Sequence, residues 1–325
     1  MDWTRGHTIG RGSTAAVSVA MSRCSGEIFA VKSTELSRSE FLQKEQKILS
    51  TLNSPYIVGY KGYDVTRENN KDMFNLMMEY MPDGTLTNQI REQGTRTGNE
   101  QMIRYYTKQI VQGLDYLHSK GILHRDIKGH NILLCETGAK IADFGCARSI
   151  DQVKWNGGTP MFMAPEVARG EEQGFAADIW ALGCTIIEMA TGASPWTDST
   201  NPASLLYHIA FSGQKPEIPG FLSSQARDFV SKCLRRDPKQ RWSAKQLFKH
   251  PFFEESNSYD KINEEFITSS PTSILDQGIW SSAEESETVD DSRQTISSMD
   301  SPLQRLRELE MQSGKPDWLQ LEITV

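Results

Sequence analysis

The amino-acid sequence predicts an α+β chain of two lobes: a small β-rich lobe with one helix, then a larger helical lobe, followed by an acidic tail. Three features predict it. The first 35 residues alternate apolar and polar positions between glycine turns, apolar residues recur at helical spacing from Asn99 onward, and past Phe253 the composition shifts to Ser, Thr, Glu and Asp. At 325 residues the chain exceeds the roughly 250–300 residues over which one hydrophobic core keeps growing, so two lobes sharing a cleft, plus an extension, is the natural division.

Ala16-Val17-Ser18-Val19-Ala20 and Ile28-Phe29-Ala30-Val31 read as antiparallel strands, because period-two alternation turns one side of each towards a core. Ser39 to Leu52 then carries helical spacing in Phe41, Leu42, Glu45, Ile48, Leu49 and Leu52, before Phe74 to Tyr80 resumes the strands. In the second lobe Asn99 is an N-cap, Ile103, Tyr106, Ile110, Leu114 and Leu117 line one helix face, and Gly121 is the stop. One domain over 3–253 and a tail over 254–325 follow. The tail has too little apolar surface to offset the entropy of ordering, so it is expected to be mostly disordered. Within it, Leu303, Leu306, Leu309, Trp318, Leu319, Leu321, Ile323 and Val325 make 302–325 a candidate docking helix or strand. Residual apolar residues in a disordered tail would look the same, since short helices are marginal in isolation.

No apolar run approaches the roughly 18–20 residues that span a bilayer. Trp180 to Ala190 comes nearest and is broken by Glu188, and the start MDWTRGHT has no signal-peptide stretch. Cys24, Cys135, Cys146, Cys184 and Cys233 are odd in number, widely spaced and without a C-x-x-C pair, which argues against a disulfide framework and a zinc site. A soluble protein of a reducing compartment, cytoplasmic or nuclear, is expected. The net charge of −7 is uneven: residues 254–325 hold 16 acidic and 5 basic side chains (−11), leaving 26 and 30 in 1–253 (+4). No Lys/Arg run supports binding to nucleic acid or a membrane surface, so protein partners are the expectation; the chain itself is expected to be a monomer.

Gly10-Arg11-Gly12-Ser13-Thr14-Ala15-Ala16-Val17 sits between two predicted strands, where small residues let backbone N–H groups approach phosphate oxygens. Alone this is only a glycine-rich turn. Lys32, at the end of Phe29-Ala30-Val31-Lys32, is a strand cation with apolar flanks, and Glu45 on the next helix has the reach to pair with it. An inward Lys–Glu pair needs an anionic ligand to explain it. Next come His124-Arg125-Asp126-Ile127-Lys128-Gly129-His130-Asn131 and, shortly after, Asp143-Phe144-Gly145.

These segments resemble the H-R-D-x-x-x-x-N and D-F-G signatures of eukaryotic protein kinases. The resemblance covers residues 3–253 and continues through Gly158-Thr159-Pro160-Met161-Phe162-Met163-Ala164-Pro165-Glu166, Asp178-Ile179-Trp180-Ala181-Leu182-Gly183 and Arg241-Trp242. It implies the bilobal kinase fold, ATP and Mg²⁺ as cofactors, and protein substrates. Phosphoryl transfer asks a protein mainly to position reactants and neutralise charge. By resemblance, Asp126 takes the proton of the substrate hydroxyl, Asn131 and Asp143 hold Mg²⁺, Lys32 fixed by Glu45 binds the α- and β-phosphates, and Lys128 balances charge on the γ-phosphate. The glycine-rich turn, Gly10 to Ala16, covers the phosphates. Ile9, Val17, Ala30 and Leu133 sandwich the adenine, with Met78 as gatekeeper and Glu79 to Met81 as the hinge. Glu166 and Arg241 resemble a structural ion pair that ties the activation segment to the large lobe.

Lys128 two residues after Asp126, with Gly158-Thr159, is similar to the serine/threonine pattern. The stretches Asp126 to Leu133 and Gly158 to Glu166 resemble MAP kinase kinase kinases. The opening Trp3-Thr4-Arg5-Gly6 to Ser18, with Ser54-Pro55-Tyr56-Ile57-Val58 and Ile141-Ala142-Asp143-Phe144-Gly145-Cys146-Ala147, resembles the short plant MEKK-like subgroup, whose kinase domain is N-terminal. Such enzymes phosphorylate MAP kinase kinases in stress and hormone signalling. Two other readings compete: a pseudokinase scaffold, against which intact Lys32, Glu45, Asp126, Asn131 and Asp143 stand, and a kinase one tier higher in the cascade.

The third glycine of the G-x-G-x-x-G pattern is Ala15, whose methyl is expected to cost left-handed backbone freedom over the phosphates. Arg125 marks kinases in which this arginine meets a phosphate on the activation segment. Between Gly145 and Ala164 the hydroxyls are Ser149 and Thr159, and Thr159 resembles the residue that contacts Asp126 and Lys128. The expectation is a segment active without multisite phosphorylation, with Asp151 as a fixed anion. Cys146 is expected to pack rather than react, and His7, His118, His208 and His250 to be packing or surface residues.

Overall fold

The computed structural model describes residues 2–12, 14–93, 99–152, 158–196 and 201–254. Ser13 and the whole of the candidate docking element 302–325 lie outside them. The first lobe is a five-stranded antiparallel sheet in the order β1-β2-β3-β5-β4, made of β1 (Trp3–Arg11), β2 (Ala16–Ser22), β3 (Ile28–Glu35), β4 (Tyr60–Glu68) and β5 (Lys71–Glu79). Its one helix, α1 (Glu40–Leu49), is shorter than the spacing predicts: it stops at Ser50, so Leu52 is buried from the turn that follows. The strand β4 was not legible. Asp64, Thr66 and Glu68 alternate with Tyr63 and Val65, which are themselves exposed, so the edge strand carries little apolar contrast.

Register decides what faces the cleft. Val17 pairs with Lys32 and Lys32 with Leu76, while Val19 pairs with Ala30 and Ala30 with Met78. Directly opposed residues share a face, so Val17, Ala30, Lys32 and Met78 stand on one side of the sheet. Ser33 and Asn75, also opposed, stand on the other. There Ala20, Phe29, Val31 and Met77 form a small core of their own, with Trp3 packed against it.

In the second lobe α2 (Leu86–Gln93) leads to α3 (Glu100–Ser119). The Asn99 side chain accepts from the N–H groups of Gln101 and Met102, and Gly121 takes φ +72° after the helix, as its sequence signals predict. Ile103, Ile110, Leu114 and Leu117 are buried. α5 (Ala176–Thr191) is buried almost all round, from Ala177 to Ala190 with Glu188 the exception, as a helix apolar on every side must be. Of the remaining helices, α8 (Ala244–Leu247) packs on α3, α7 (Ser224–Cys233) packs on α5, and α4 (Pro165–Ala168) packs against α6 (Pro202–Phe211). Among the described residues no helix is long and apolar enough to cross a membrane.

Two short antiparallel pairs follow the first lobe: β6 (Ile122–Leu123) with β9 (Arg148–Ser149), and β7 (Ile132–Cys135) with β8 (Gly138–Ile141). The backbone of Val58 donates to Ile141 at 3.0 Å, Ile141 donates to Tyr56 at 2.9 Å, and Leu134 donates to Gly84 at 2.9 Å. These bonds dock the first lobe on the second. One continuous apolar core follows, running from Leu42 and Leu76 through Phe144 to Trp180 and Phe229.

Candidate active site

Lys32 is where the two lobes meet electrostatically. Its Nζ lies 2.7 Å from Glu45 Oε2 on α1 and 2.9 Å from Asp143 Oδ1 across the cleft. Burial pushes the Lys32 ammonium towards neutrality, but the two carboxylates outweigh it and raise the pKa above the ordinary lysine value. The Asp143 carboxyl, pushed up by burial, is held below its usual range by the Lys32 ammonium and the Gly145 N–H. Glu45 is 2% exposed; burial pushes it up against the pull of Lys32. Both Lys32 and Asp143 are therefore ionised at neutral pH, in an aqueous-facing cleft where the Asp143 side chain is 48% exposed.

Asp143 reaches that position through a left-handed backbone, φ +61°, stabilised as its own side chain accepts from Gly145 N at 3.3 Å. The turn sends Phe144 into the core, where it is fully buried and meets the His124 ring edge-on at 5.1 Å. His124 Nε2 donates to the Ala142 carbonyl at 3.0 Å and its Nδ1 accepts from Asp126 N at 3.3 Å, which fixes the orientation of the ring.

The loop between β6 and β7 gathers the next group. Asp126 Oδ1 accepts from Thr159 N at 3.0 Å and Thr159 Oγ1 at 2.8 Å; Oδ2 meets Asn131 Nδ2 at 2.9 Å and Lys128 Nζ at 2.8 Å. Lys128 Nζ also donates to Thr159 Oγ1 at 2.6 Å. Four donors fill the roughly four lone-pair sites of one carboxylate. Asn131 spends its amide N–H₂ on Asp126, on Oδ2 and on the backbone oxygen at 2.8 Å, so its Oδ1 is left as an oxygen donor.

The loop itself is held from below by a residue whose role the sequence did not reveal. Asp178 on α5 accepts from His124 N at 3.0 Å and Arg125 N at 2.8 Å, and pairs with His118 Nε2 at 3.0 Å. Arg125 sits at φ +71°, a conformation that a non-glycine residue keeps only when its surroundings impose it. The available hint was a carboxylate near the start of a largely apolar helix, whose second carboxylate, Glu188, lies at its far end. The Arg125 side chain bonds Gln173 Oε1 at 2.9 Å and the Cys146 carbonyl at 3.4 Å. Asp151, the expected fixed anion, is exposed.

The remaining predicted positions surround these groups. Ala30 and Met78 are buried, Val17 and Leu133 half-buried, and Ile9 is 45% exposed at the mouth. Gly10 pairs with Val17 and Arg11 with Ala16, and Gly12 N donates to Ala15 O at 2.9 Å, closing the glycine-rich turn around Thr14. Ala15 is not among the residues with positive φ, so its methyl imposes none of the expected strain. Met81 is buried in the hinge, while the Glu79 side chain turns to Lys140 Nζ at 2.6 Å and Gly59 N at 2.9 Å. That ion pair joins β5 to β8 across the hinge. Glu166 and Arg241 form a two-pronged pair at 2.5 and 2.6 Å, both buried. Burial pushes the Cys146 thiol up, the direction of an unreactive cysteine. His118, His208 and His250 are engaged by Asp178, Trp196 and Asp228.

The donor set fits a nucleotide with a divalent ion. One ionised carboxylate and one amide oxygen are hard ligands of the kind Mg²⁺ takes when substrate phosphates and water complete its shell, and Lys32 is a cation held ready for an anion.

Comparison with known proteins agrees. The protein kinase domain family matches residues 3–253. The chain is 51% identical to Arabidopsis thaliana mitogen-activated protein kinase kinase kinase 17 over 88% of its length and 78% of that protein's. It is 52% identical to kinase 18 of the same series over 88% and 86%, and 37% identical to kinase 20 over 98% and 97%. The chain belongs to the protein kinase family, as a serine/threonine kinase of the MEKK-like mitogen-activated protein kinase kinase kinase group that uses ATP and a divalent metal on protein substrates.

Proposed function

We propose that the chain, acting as a monomer in the cytoplasm or nucleus through a catalytic domain at 3–253, transfers the γ-phosphoryl group of Mg-ATP to serine or threonine hydroxyls of MAP kinase kinases in stress or hormone signalling. The arrangement of Asp126, Lys128 and Thr159 beside the Lys32–Glu45–Asp143 group carries the reading, and the names of the relatives suggest the tier. In it, Lys32 binds the α- and β-phosphates, and Asp143 and Asn131 hold the Mg²⁺. The ion, when bound, neutralises phosphate charge that would otherwise oppose the incoming hydroxyl. Gly10 to Ala16 covers the phosphates with backbone N–H groups, and Val17, Ala30, Leu133 and Ile9 receive the adenine beside Met78 and the hinge.

Asp126 orients the substrate hydroxyl and accepts its proton as the oxygen attacks phosphorus. Because all its lone pairs are already engaged, one donor must give way. Lys128 is the mobile one: a flexible ammonium can leave Asp126 for the γ-phosphate, whereas the Thr159 N–H and the Asn131 amide are fixed by the backbone and a second bond.

The test is ³²P transfer from Mg-ATP to catalytically inactive MAP kinase kinases and to a generic basic protein, with wild type and Asp126→Asn side by side. Transfer to the MAP kinase kinases that Asp126→Asn abolishes supports activity and tier. Transfer only to the generic protein removes the tier, and ATP binding with no transfer to either protein removes the catalytic reading.

A further inference from the structure

Trp3 and Arg5 open the chain, and the active-site reading gives them no task. Both belong to β1, one edge of the sheet, yet their partners lie on β4, the opposite edge. Trp3 Nε1 donates to Asp64 Oδ2 at 2.9 Å and Arg5 Nη2 to Glu68 Oε1 at 2.8 Å. Arg5 also donates to Asn75 Oδ1 at 2.9 Å on β5 and to Ser33 Oγ at 2.9 Å on β3. Four strand spacings would set β1 and β4 roughly 19 Å apart in a flat sheet, beyond the reach of a Trp–Asp pair. The sheet must therefore be curled about the face that these side chains cover.

The covered face is built to be held. Asn75 is fully buried and has every polar atom engaged: Oδ1 by Arg5 and Ser33, Nδ2 by Thr66 at 2.8 Å and Asp64 at 3.2 Å. Trp3 lies edge-on to Phe29 at 6.0 Å and under the Arg5 guanidinium at 5.0 Å, closing the small core of Ala20, Phe29, Val31 and Met77. Burial works against the Glu68 carboxyl, but Arg5 and Thr66 hold it below its usual range.

From this clasp β1 runs to the glycine-rich turn, and the strand is irregular on the way, with register shifts between Arg5 and Thr8 and again between Thr8 and Gly10. Such irregularities bend a strand. Gly6 lies against β2 so closely that a Cβ would stand 3.2 Å from the Val19 carbonyl oxygen, so the two strands are tightly packed within the irregular stretch. We propose that the Trp3/Arg5 clasp onto Asp64, Glu68 and Asn75 sets the curl of the sheet and thereby the height of the glycine-rich turn over Lys32, making Trp3 and Arg5 positioning residues for the nucleotide. Ser33, which Arg5 holds, directly follows Lys32 on β3, so one guanidinium fixes both the turn's strand and the phosphate-binding strand. The inference rests on the nucleotide reading of the cleft.

The experiment uses the full chain, as wild type, Arg5→Ala, Arg5→Lys, Trp3→Phe and Glu68→Gln. It measures KM for ATP, KM for the protein substrate, kcat, equilibrium binding of a fluorescent ATP analogue with Mg²⁺, and melting temperature. The clasp predicts a rise in KM for ATP and in the analogue's dissociation constant of about fivefold or more in Arg5→Ala, because orientation rather than contact is lost. KM for the protein substrate should move less than about twofold on the same argument. Arg5→Lys, whose single ammonium cannot reach three partners, should fall between. A fall in melting temperature with nucleotide constants unchanged would overturn the proposal. Should Arg5→Ala fail to fold, Trp3→Phe, which keeps an aromatic ring beside Phe29 but removes the indole donor and part of the packed area, and Glu68→Gln, which keeps the side-chain volume, decide it by the same criterion. A wild-type chain that binds no analogue would instead remove the nucleotide reading itself.

Discussion

Asp178 accepts the backbone N–H of Arg125 at 2.8 Å across 53 residues of sequence, and that bond anchors a left-handed residue next to the proposed catalytic aspartate. The other carboxylate oxygen serves His124 N and His118. Asp178→Asn should therefore be harmful although isosteric. An amide offers one acceptor, and its N–H₂ would face at least one donor, leaving a buried N–H unsatisfied at a cost of about 1–3 kcal/mol. Urea denaturation should show that loss, and kcat should fall further than stability alone explains, because Arg125 can relax from φ +71°. Unchanged kcat in the folded variant would detach the loop's activity from this anchor.

The same carboxylate predicts an acid limb. Burial pushes Asp178 up, but the His118 hydrogen bond, the two nearby imidazoles and the Arg125 N–H prevail and hold its pKa below the ordinary value. A depressed carboxylate releases its proton more readily folded than unfolded, so its stabilisation is full above the unfolded pKa, about 3.9, and is lost as pH falls through the folded one. Denaturant midpoints measured from pH 7 down to pH 3 should fall steeply below about pH 4 in wild type. The slope should be shallower in Asp178→Asn, and equal slopes would exclude Asp178 as a source of the acid limb.

The contrast between Lys32 and Arg5 shows what the sequence could reveal. Lys32, Glu45, Asp126, Asn131 and Asp143 were legible through their resemblance to the kinase signature, and the structure joins Lys32 to Glu45 and Asp143, and Asn131 to Asp126. α3 was legible from its Asn99 cap and its apolar stripe. The reach of Arg5 to Glu68, or of Asp178 to Arg125, was not, because each depends on how distant strands and helices are packed. In β4 the alternation is short, and its apolar residues Tyr63 and Val65 stand on the exposed face, so the strand carries no buried apolar stripe to mark it.

Thr159 is engaged three times in the proposed catalytic group, through its N–H and hydroxyl to Asp126 and through the hydroxyl from Lys128. A phosphate on that hydroxyl would break these hydrogen bonds, so the geometry favours Thr159 as part of the proposed catalytic group over a phosphorylation switch. Thr159→Val keeps the volume and the N–H but removes Oγ1. It should lower kcat by about tenfold or more with KM for ATP nearly unchanged, and Thr159→Ser should restore most of it. Ser149 makes no such contacts: its backbone pairs with Ile122 in β9, so Ser149→Ala should retain most activity. Steady-state kinetics of the three variants decides both points, and an inactive Ser149→Ala would make phosphorylation of that residue obligatory.

Glu166 and Arg241 form a buried pair whose two halves are not equivalent. Arg241 also donates to the carbonyls of Arg235 at 2.6 Å, Ala176 at 2.9 Å and Arg236 at 3.1 Å, and lies 5.1 Å from the Trp180 ring. Removing one partner of a buried pair costs about 3–5 kcal/mol, because the other charge is left without compensation. Glu166→Leu strands a cation that keeps three carbonyl acceptors, whereas Arg241→Leu strands a carboxylate together with those carbonyls. Arg241→Leu should therefore be the more destabilising, and the double variant should cost less than the two added together, since it leaves no buried charge. Guanidinium chloride midpoints at unchanged m-value measure all three. Equal losses in the single variants would mean that the carbonyl contacts contribute nothing, and strict additivity in the double would mean that the pair is not coupled.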